Sequence, residues 1–489
     1  MMTISAAPKK MNKQTKNNIL KLYSMLEDNP STQIKNLGKT AAEHKMLYRL
    51  FSNATFTEDY IQEEYIKSCH QALAKGGKQR VIVPHDTTEI SYNNRKNWIK
   101  NQEGLGPGGR ESNLSVFGHV SIVIDRDTSS FQCIGSADLY SRDKDRVTCK
   151  EKKNRNSGPF AGEKTRWLIS MLDSDKELKK VNPELDILHV CDREADIYPM
   201  MECLNRHNIK YLIRSKEHRR TAILEDKKNV PLINLFDYQV ARLSTNVPLE
   251  TSRKDLQGIQ LKVRVTRTLL KVPKSSKYII GEPRPEPMYI NVIEAFDPTK
   301  AFPNPYLKKE DREEEGIYWR LFTNESVDTE EELLDLLNCY QQRWRIETYF
   351  KYLKSDGFDI ENICLRDGGA IRKMILMAIS ASDKILRLRE AGLNQDNETS
   401  ALTIFTKKEV DFLETIFVEH LDGEKRSPYN SNPFNSKSMA WAYWVIASLG
   451  GFDGIVKKIK HAASIKKVEK GLERFYIMYD TAKMLGQIT

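Results

Sequence analysis

Residues 340–354 read YQQRWRIETYFKYLK, a run with no proline or glycine and with the apolar spacing of an amphipathic helix. At about 100° per residue, Tyr340, Arg343, Glu347 and Lys354 fall at roughly 0°, 300°, 340° and 320°, on one side of that helix. Ile346, Tyr349, Phe350 and Leu353 fall at roughly 180° to 280°, an adjoining stripe that would press the helix onto a core while the polar side faces a cleft. Taken alone, a Glu beside Arg and Lys is a surface ion pair. Two segments upstream give it a different context.

Residues 81–92, VIVPHDTTEISY, are a β-rich run that breaks at an Asp-Thr-Thr, and residues 189–198, HVCDREADIY, end a second apolar run at Cys-Asp-Arg-Glu. With the Tyr-x2-Arg-x3-Glu-x6-Lys spacing of residues 340–354, these segments resemble the three motifs of bacterial insertion-sequence transposases of the DDE class, in the same order: Asp86, Asp192, Glu347. The nearest resemblance is to the insertion-sequence-four family, in the branch containing the Tn-five type. EHKMLYRLFSN (residues 43–53) is similar to that family's N-terminal DNA-binding segment, and ASLGGFDG with GLERFYIMYDTAKML (residues 471–485) to its C-terminal region.

Between the motifs the pattern is mixed. Residues 1–75 read as helices, with Ser52-Asn53 and Thr57 as breaks and caps. RVIVPHD, VFGHVSIVID and FQCIGSADLY read as three strands, with the glycine-rich EGLGPGGRES after the first. A helix near Glu163–Leu172, a buried strand ending at Asp192, a helix over Ala195–Asn205 and the strand IKYLIRSK follow. From about Glu217 to Glu315 the chain alternates as in an antiparallel sheet; 155 residues separate Asp192 from Glu347 against 106 between the aspartates, more than a direct connection needs. The strand IYWRLFTN, a continuous helix through Lys354 and a helical remainder complete the reading.

Pattern alone leaves several α/β arrangements open. The resemblance selects a ribonuclease-H-like catalytic core (76–369) with an inserted antiparallel β subdomain (217–315), an N-terminal helical DNA-binding domain (1–75) and a C-terminal helical dimerisation region (370–489).

The composition, 39% hydrophobic and 29% charged, is that of an ordinary soluble protein. A net charge of +10 favours a polyanionic partner. Residues 1–80 hold thirteen Lys and Arg against seven Asp and Glu, so +6 of the excess sits in about one-sixth of the chain. The seven cysteines are scattered and odd in number, without C-x-x-C, which suggests neither a disulfide framework nor a zinc site and fits a reducing bacterial cytoplasm. No run of eighteen apolar residues occurs, so neither secretion nor a membrane is expected.

The resemblance implies Asp86, Asp192 and Glu347 as catalytic residues and ligands of two Mg²⁺ ions, with Mn²⁺ as substitute. Phosphodiester transfer needs an activated oxygen nucleophile and a stabilised leaving oxygen, which two ions about 3.5–4 Å apart supply, and carboxylates are the hard donors such ions take. The plain alternatives are a turn residue for Asp86 and a helix N-cap for Asp192.

Tyr340, Arg343 and Lys354 would contact phosphates of a transposon end. Arg214 and Lys216 would touch DNA, Arg49 would contribute to end recognition, and Trp319 would stack on a flipped base or be a core tryptophan. His85 would contact metal-bound water or pack at the strand end, and the lysines of residues 455–470 would face DNA or solvent.

The expected activity is cut-and-paste transposition on double-stranded DNA, with terminal inverted repeats and a target, by a homodimer in the paired-end complex. The steps would be nicking, hairpin formation and strand transfer. A catalytically silent DNA-binding relative and a ribonuclease-H-like nuclease without strand transfer are the competing readings.

Overall fold

The computed structural model describes residues 11–74, 77–109, 113–142, 162–216, 220–249, 258–274, 276–300, 317–396, 398–421, 432–452 and 463–488. The end of the glycine-rich loop, residues 110–112, parts of the expected insertion, and residues 455–462 lie outside them.

The N-terminal region consists of α1 (Lys13–Asp28), α2 (Ile34–Leu37), α3 (Ala41–Phe51) and α4 (Glu58–Ile61), which runs on through a π turn, α5 (Lys67–Cys69) and a 3-10 turn to Leu73. Thr40 closes a capping box on α3, and Thr57 caps α4 by accepting from Tyr60 N–H. Each hydroxyl satisfies an amide that the first turn leaves without a partner.

These helices are not a detached domain. Arg372 pairs with Glu58 at 2.6 Å, and Gln62 donates to the Ala137 carbonyl at 2.9 Å. Ile19, Leu22 and Leu26 are fully buried in the same apolar core as the central sheet.

The next elements are β1 (Arg80–Ser91), β2 (Gly106–Pro107), β3 (Leu114–Asp125), β4 (Phe131–Tyr140), α6 (Thr165–Val181), β5 (Asp186–Cys191), α7 (Tyr198–Arg206) and β6 (Lys210–Arg214). This is the strand and helix order that the sequence implies. In space the strands lie β4-β3-β1-β5-β6, with β3 antiparallel to β1 and β4 to β3, while β5 and β6 run parallel to β1 and β5 respectively. Parallel neighbours require crossovers, and α6 and α7 lie in the two connections that bring the chain into β5 and β6.

The strands of the expected insertion pair antiparallel and are continuous with the core sheet. These strands, β7 (Thr221–Ile223), β8 (Asn229–Pro231), β9 (Leu243–Pro248), β10 (Gln260–Leu270) and β11 (Met288–Phe296), with the short α8 (Leu235–Tyr238), do not make a separate sheet. β11 pairs with β12 (Tyr318–Thr323), and β12 pairs antiparallel with β6, so one twelve-stranded sheet runs across core and insertion. The physical reason is the unpaired edge that β6 would otherwise present.

The helix expected over residues 330–354 keeps helical dihedrals throughout its junction at Arg343 (φ −53°, ψ −34°) but is not uniform. α9 (Glu330–Gln342) stops at Arg343, α10 (Trp344–Lys351) follows, and a π turn takes Tyr352–Asp356. Arg343 N–H bonds the Tyr340 carbonyl and Ile346 N–H bonds the Arg343 carbonyl, both three residues back. The chain is therefore overwound at Arg343 and underwound beyond Tyr352, and each change rotates the residues past it. Ile346, Tyr349, Phe350 and Leu353 are buried as their spacing predicts.

The remainder is helical: α11 (Gly368–Leu393), α12 (Lys407–Ile416), α13 (Met439–Leu449) and α14 (Ile465–Met484). Leu472, Phe475 and Tyr476 of α14 are buried within the chain, with Phe475 beside Phe405 and Phe412, so that face packs internally. Ile477, Met484 and Leu485 are exposed. No helix among the described residues is long and apolar enough to cross a membrane.

Candidate active site

Strand register brings the two aspartates together. His85 of β1 pairs with Cys191 of the parallel β5, so Asp86 and Asp192, one residue further along each, stand side by side at the same level of the sheet. Asp192 leaves β5 and caps a 3-10 turn, accepting from Glu194 N–H at 2.8 Å. The N-cap alternative is thus realised, and it fixes one carboxylate oxygen while the other stays available. Asp86 accepts from Thr87 N–H at 2.7 Å.

Glu347 comes from α10, and Arg343 links it to the strands. One guanidinium nitrogen lies 2.8 Å from Glu347 Oε1 and the other 3.5 Å from Asp86 Oδ2. Arg343 is buried, whereas the Glu347 side chain is 40% exposed. Burial alone would lower the Arg343 pKa; Tyr340, Glu347 and Asp86 outweigh it and hold the guanidinium above its ordinary value.

Asp86 shows the opposite balance. Its burial, then Asp192 and finally Glu347, overcome the pull of Thr87 N–H and Arg343 and push its carboxyl up to about 7. Crowded carboxylates short of positive charge are what a divalent cation relieves. The all-oxygen donor set therefore fits hard ions such as Mg²⁺ or Mn²⁺.

The other expected residues spread out around this centre. Lys354, in the π turn, donates to the Glu89 carbonyl and lies 3.6 Å from Glu361. Tyr340 is only 1% exposed, and its hydroxyl stays close enough to Arg343 and Arg214 to act on both guanidinium groups. Its ring meets Trp319 edge-on at 5.4 Å between centroids, and Trp319 is partly buried against the core. Arg214 is half-buried and donates to the Tyr318 carbonyl at 3.0 Å. Burial and the cations Arg193 and Arg343 keep Arg214 below its ordinary pKa against the opposing effect of Tyr340.

Lys216 is exposed and tied through its backbone to Asp196. Arg49 is exposed in the last turn of α3, away from the three carboxylates in the chain's N-terminal helices.

His85 does not face the carboxylates. Alternation along β1 turns it to the other side of the sheet from Asp86. There it is fully buried, with Nε2 2.8 Å from His189 Nδ1 and Nδ1 3.0 Å from Ser170 Oγ. His119, paired with Thr87 across β1 and β3, contacts the Thr87 hydroxyl at 2.8 Å. Burial drives His119 and His189 down to about 3 and His85 well below its ordinary value, so all three are neutral.

This buried polar layer links β1, β3, β5 and α6 behind Asp86 and Asp192, and the sequence reading missed most of it. One signal was there: His85, His119 and His189 each occur inside an apolar strand. Trp344 was missed as well. It is 56% exposed beside Glu347, with the Arg343 guanidinium 5.4 Å from its ring.

Residues 175–382 match the family model described as Transposase DDE domain. The matched segment includes Asp192, Trp319, Tyr340, Arg343, Glu347 and Lys354; Asp86 lies ahead of it and joins the site through the pairing of β1 with β5. Transposases of this class act on DNA and generally use divalent metal ions. The match, which covers less than half of the chain, supports a transposase of the DDE type.

Proposed function

We propose that this chain is a metal-dependent DNA transposase of the insertion-sequence-four type, acting by cut-and-paste. It nicks at the ends of its element, releases the element through a hairpin and joins it to target DNA. The observation that carries this reading is one buried arginine joining Glu347 to Asp86, with Asp192 beside Asp86 in the strand register.

When bound, two Mg²⁺ or Mn²⁺ ions would activate the attacking oxygen and stabilise the leaving one, with Asp86, Asp192 and Glu347 as their ligands. The chain's own residues orient the reactants. Thr87 and Glu194 amides fix one oxygen each of Asp86 and Asp192, and Arg343 holds Glu347 toward the strands. Lys354 and Arg214 extend positive charge from the site along the bound backbone. Exposed Trp344 or partly buried Trp319 would stack on an extruded base. The basic N-terminal helices, Arg49 among them, read the ends, Lys216 adds to the DNA contact, and two protomers pair the ends.

The deciding experiment incubates the purified chain with duplexes carrying the ends of its own element, a target plasmid and Mg²⁺. Nicked, hairpin and joined products support the proposal. Cleavage without joining marks a nuclease, and end binding without cleavage marks a silent relative.

A further inference from the structure

A second donor cluster lies at the far end of α7. Cys203 and His207 are four residues apart, one helical turn, so both side chains leave the same face of the helix. Glu282, on the turn between β10 and β11, meets them. The Cys203 thiol, a His207 ring nitrogen and a Glu282 carboxylate oxygen all lie within 4.8 Å of one another. Among the described residues this is the one group of three such donors held that close, Asp86, Asp192 and Glu347 included.

We propose that Cys203, His207 and Glu282 form a site for a borderline divalent metal ion of the Zn²⁺ class, which ties the strand extension to α7. The donor chemistry selects the ion. A thiolate and an imidazole favour Zn²⁺ over Mg²⁺, and three protein donors with water in the fourth position complete a tetrahedron. Zn–S near 2.3 Å and Zn–N near 2.0–2.1 Å set ligand separations of about 3.3–3.6 Å. His207 Nε2 and Glu282 Oε1 are already 3.1 Å apart, and the Cys203 thiol lies within 4.8 Å of a donor atom of each.

The surroundings are arranged for it. Gly281 takes φ +88°, a left-handed conformation that places Glu282 at the turn. Arg206 grips the other Glu282 oxygen at 3.0 Å, orienting the carboxylate as supporting partners of metal ligands do. The charge of Arg206 is balanced by Glu202 at 2.6 Å, so before the thiol ionises the cluster carries one net negative charge. Its position at the C-terminal end of α7 adds the partial negative charge of the helix end. Cys203 is buried and His207 exposed, which gives an ion a solvent-side entry.

The inference does not depend on the reading of the Asp86 site, and the test separates the two. The reduced full-length protein is titrated with Co²⁺ in excess Mg²⁺, and the sulfur-to-cobalt charge-transfer absorption is followed, a band that carboxylates cannot produce. One equivalent should produce the band, and Zn²⁺ should displace it. Cys203→Ser should abolish it, and Asp86→Asn should leave it intact. His207→Ala and Glu282→Gln, both at the surface, should each weaken Co²⁺ binding at least about tenfold and remove the rise in unfolding midpoint that Zn²⁺ gives the wild type. No band in the wild type, a band that survives Cys203→Ser, or an affinity unmoved by His207→Ala overturns the assignment.

Discussion

Replacing Asp86 with Asn should stabilise the metal-free protein while destroying its chemistry, and the sign of that effect is a direct measure of how the site stores charge. Asp86 is four-fifths buried beside Asp192, and its carboxyl moves from 3.8 to about 7 on folding. At 1.36 kcal/mol per pKa unit, an ionised Asp86 costs about 4 kcal/mol. Between those two values the folded state binds more protons than the unfolded one, so stability falls as pH rises through that window. Above pH 7 the full cost is present, and below pH 4 it is gone. Asn keeps the acceptor for Thr87 N–H and lacks the charge. In chelator, urea unfolding at pH 8 should therefore show Asp86→Asn more stable than wild type by up to about 4 kcal/mol, shrinking to near zero at pH 3.5. Mg²⁺ should stabilise the wild type and not the variant. A variant that is less stable at pH 8, or a difference that ignores pH, would refute the picture of a carboxylate cluster short of positive charge.

Arg343→Ala should act in the opposite sense, lowering metal-free stability by about 3 kcal/mol at pH 8, because it leaves the largely buried Asp86 without its cation; thermal unfolding in chelator checks this. Asp192→Asn and Glu347→Gln should each abolish cleavage of end duplexes and leave gel-shift affinity within a few-fold of wild type. Arg49→Ala should weaken end binding and make the log–log salt dependence shallower by about 0.9 if it neutralises one phosphate; an unchanged slope would remove Arg49 from the interface. Trp344→Ala should spare the first nick and slow hairpin formation, since stacking of an extruded base on an indole is worth about 1–3 kcal/mol. Trp319→Ala, made in parallel, should do the same only if Trp319 turns from Tyr340 toward DNA, and equal loss of both steps would mark it as packing.

What the sequence discloses and what it hides divide along the range of the interactions concerned. Asp86 and Asp192 are legible because each directly follows an apolar run, a pattern confined to a few neighbouring residues, although β1 continues past Asp86 to Ser91; Glu347 is legible because its helix has an unambiguous buried stripe. The tightened turn at Arg343 is hidden, since the sequence around it contains no Pro or Gly. Burial of Tyr340 is hidden too, because its ring packs on Trp319, which lies on a strand 21 residues earlier. The extension of the sheet from β6 through β12 to β11 depends on pairing across more than a hundred residues, for which alternation gives the strand but not the neighbour. Cys203 and His207 escaped a reading built on C-x-x-C spacing, because the pair mixes two residue types and its third donor lies 75 residues from His207.

The same long-range packing places the expected DNA-reading and pairing regions in mechanical contact with the catalytic core. Lys384, buried in the middle of α11, lies 3.5 Å from Glu27 of α1 and 2.7 Å from the Tyr476 hydroxyl of α14. Farther along α11, Glu390 pairs with Arg345 of α10, two residues from Glu347. One helix therefore touches the N-terminal region, the C-terminal region and the segment that carries the third carboxylate. Burying a lysine is costly unless its charge is matched, so α1 and α14 cannot leave α11 independently without exposing or stranding that charge. The position of α11 is thereby shared by both outer regions and the Arg343–Glu347 segment.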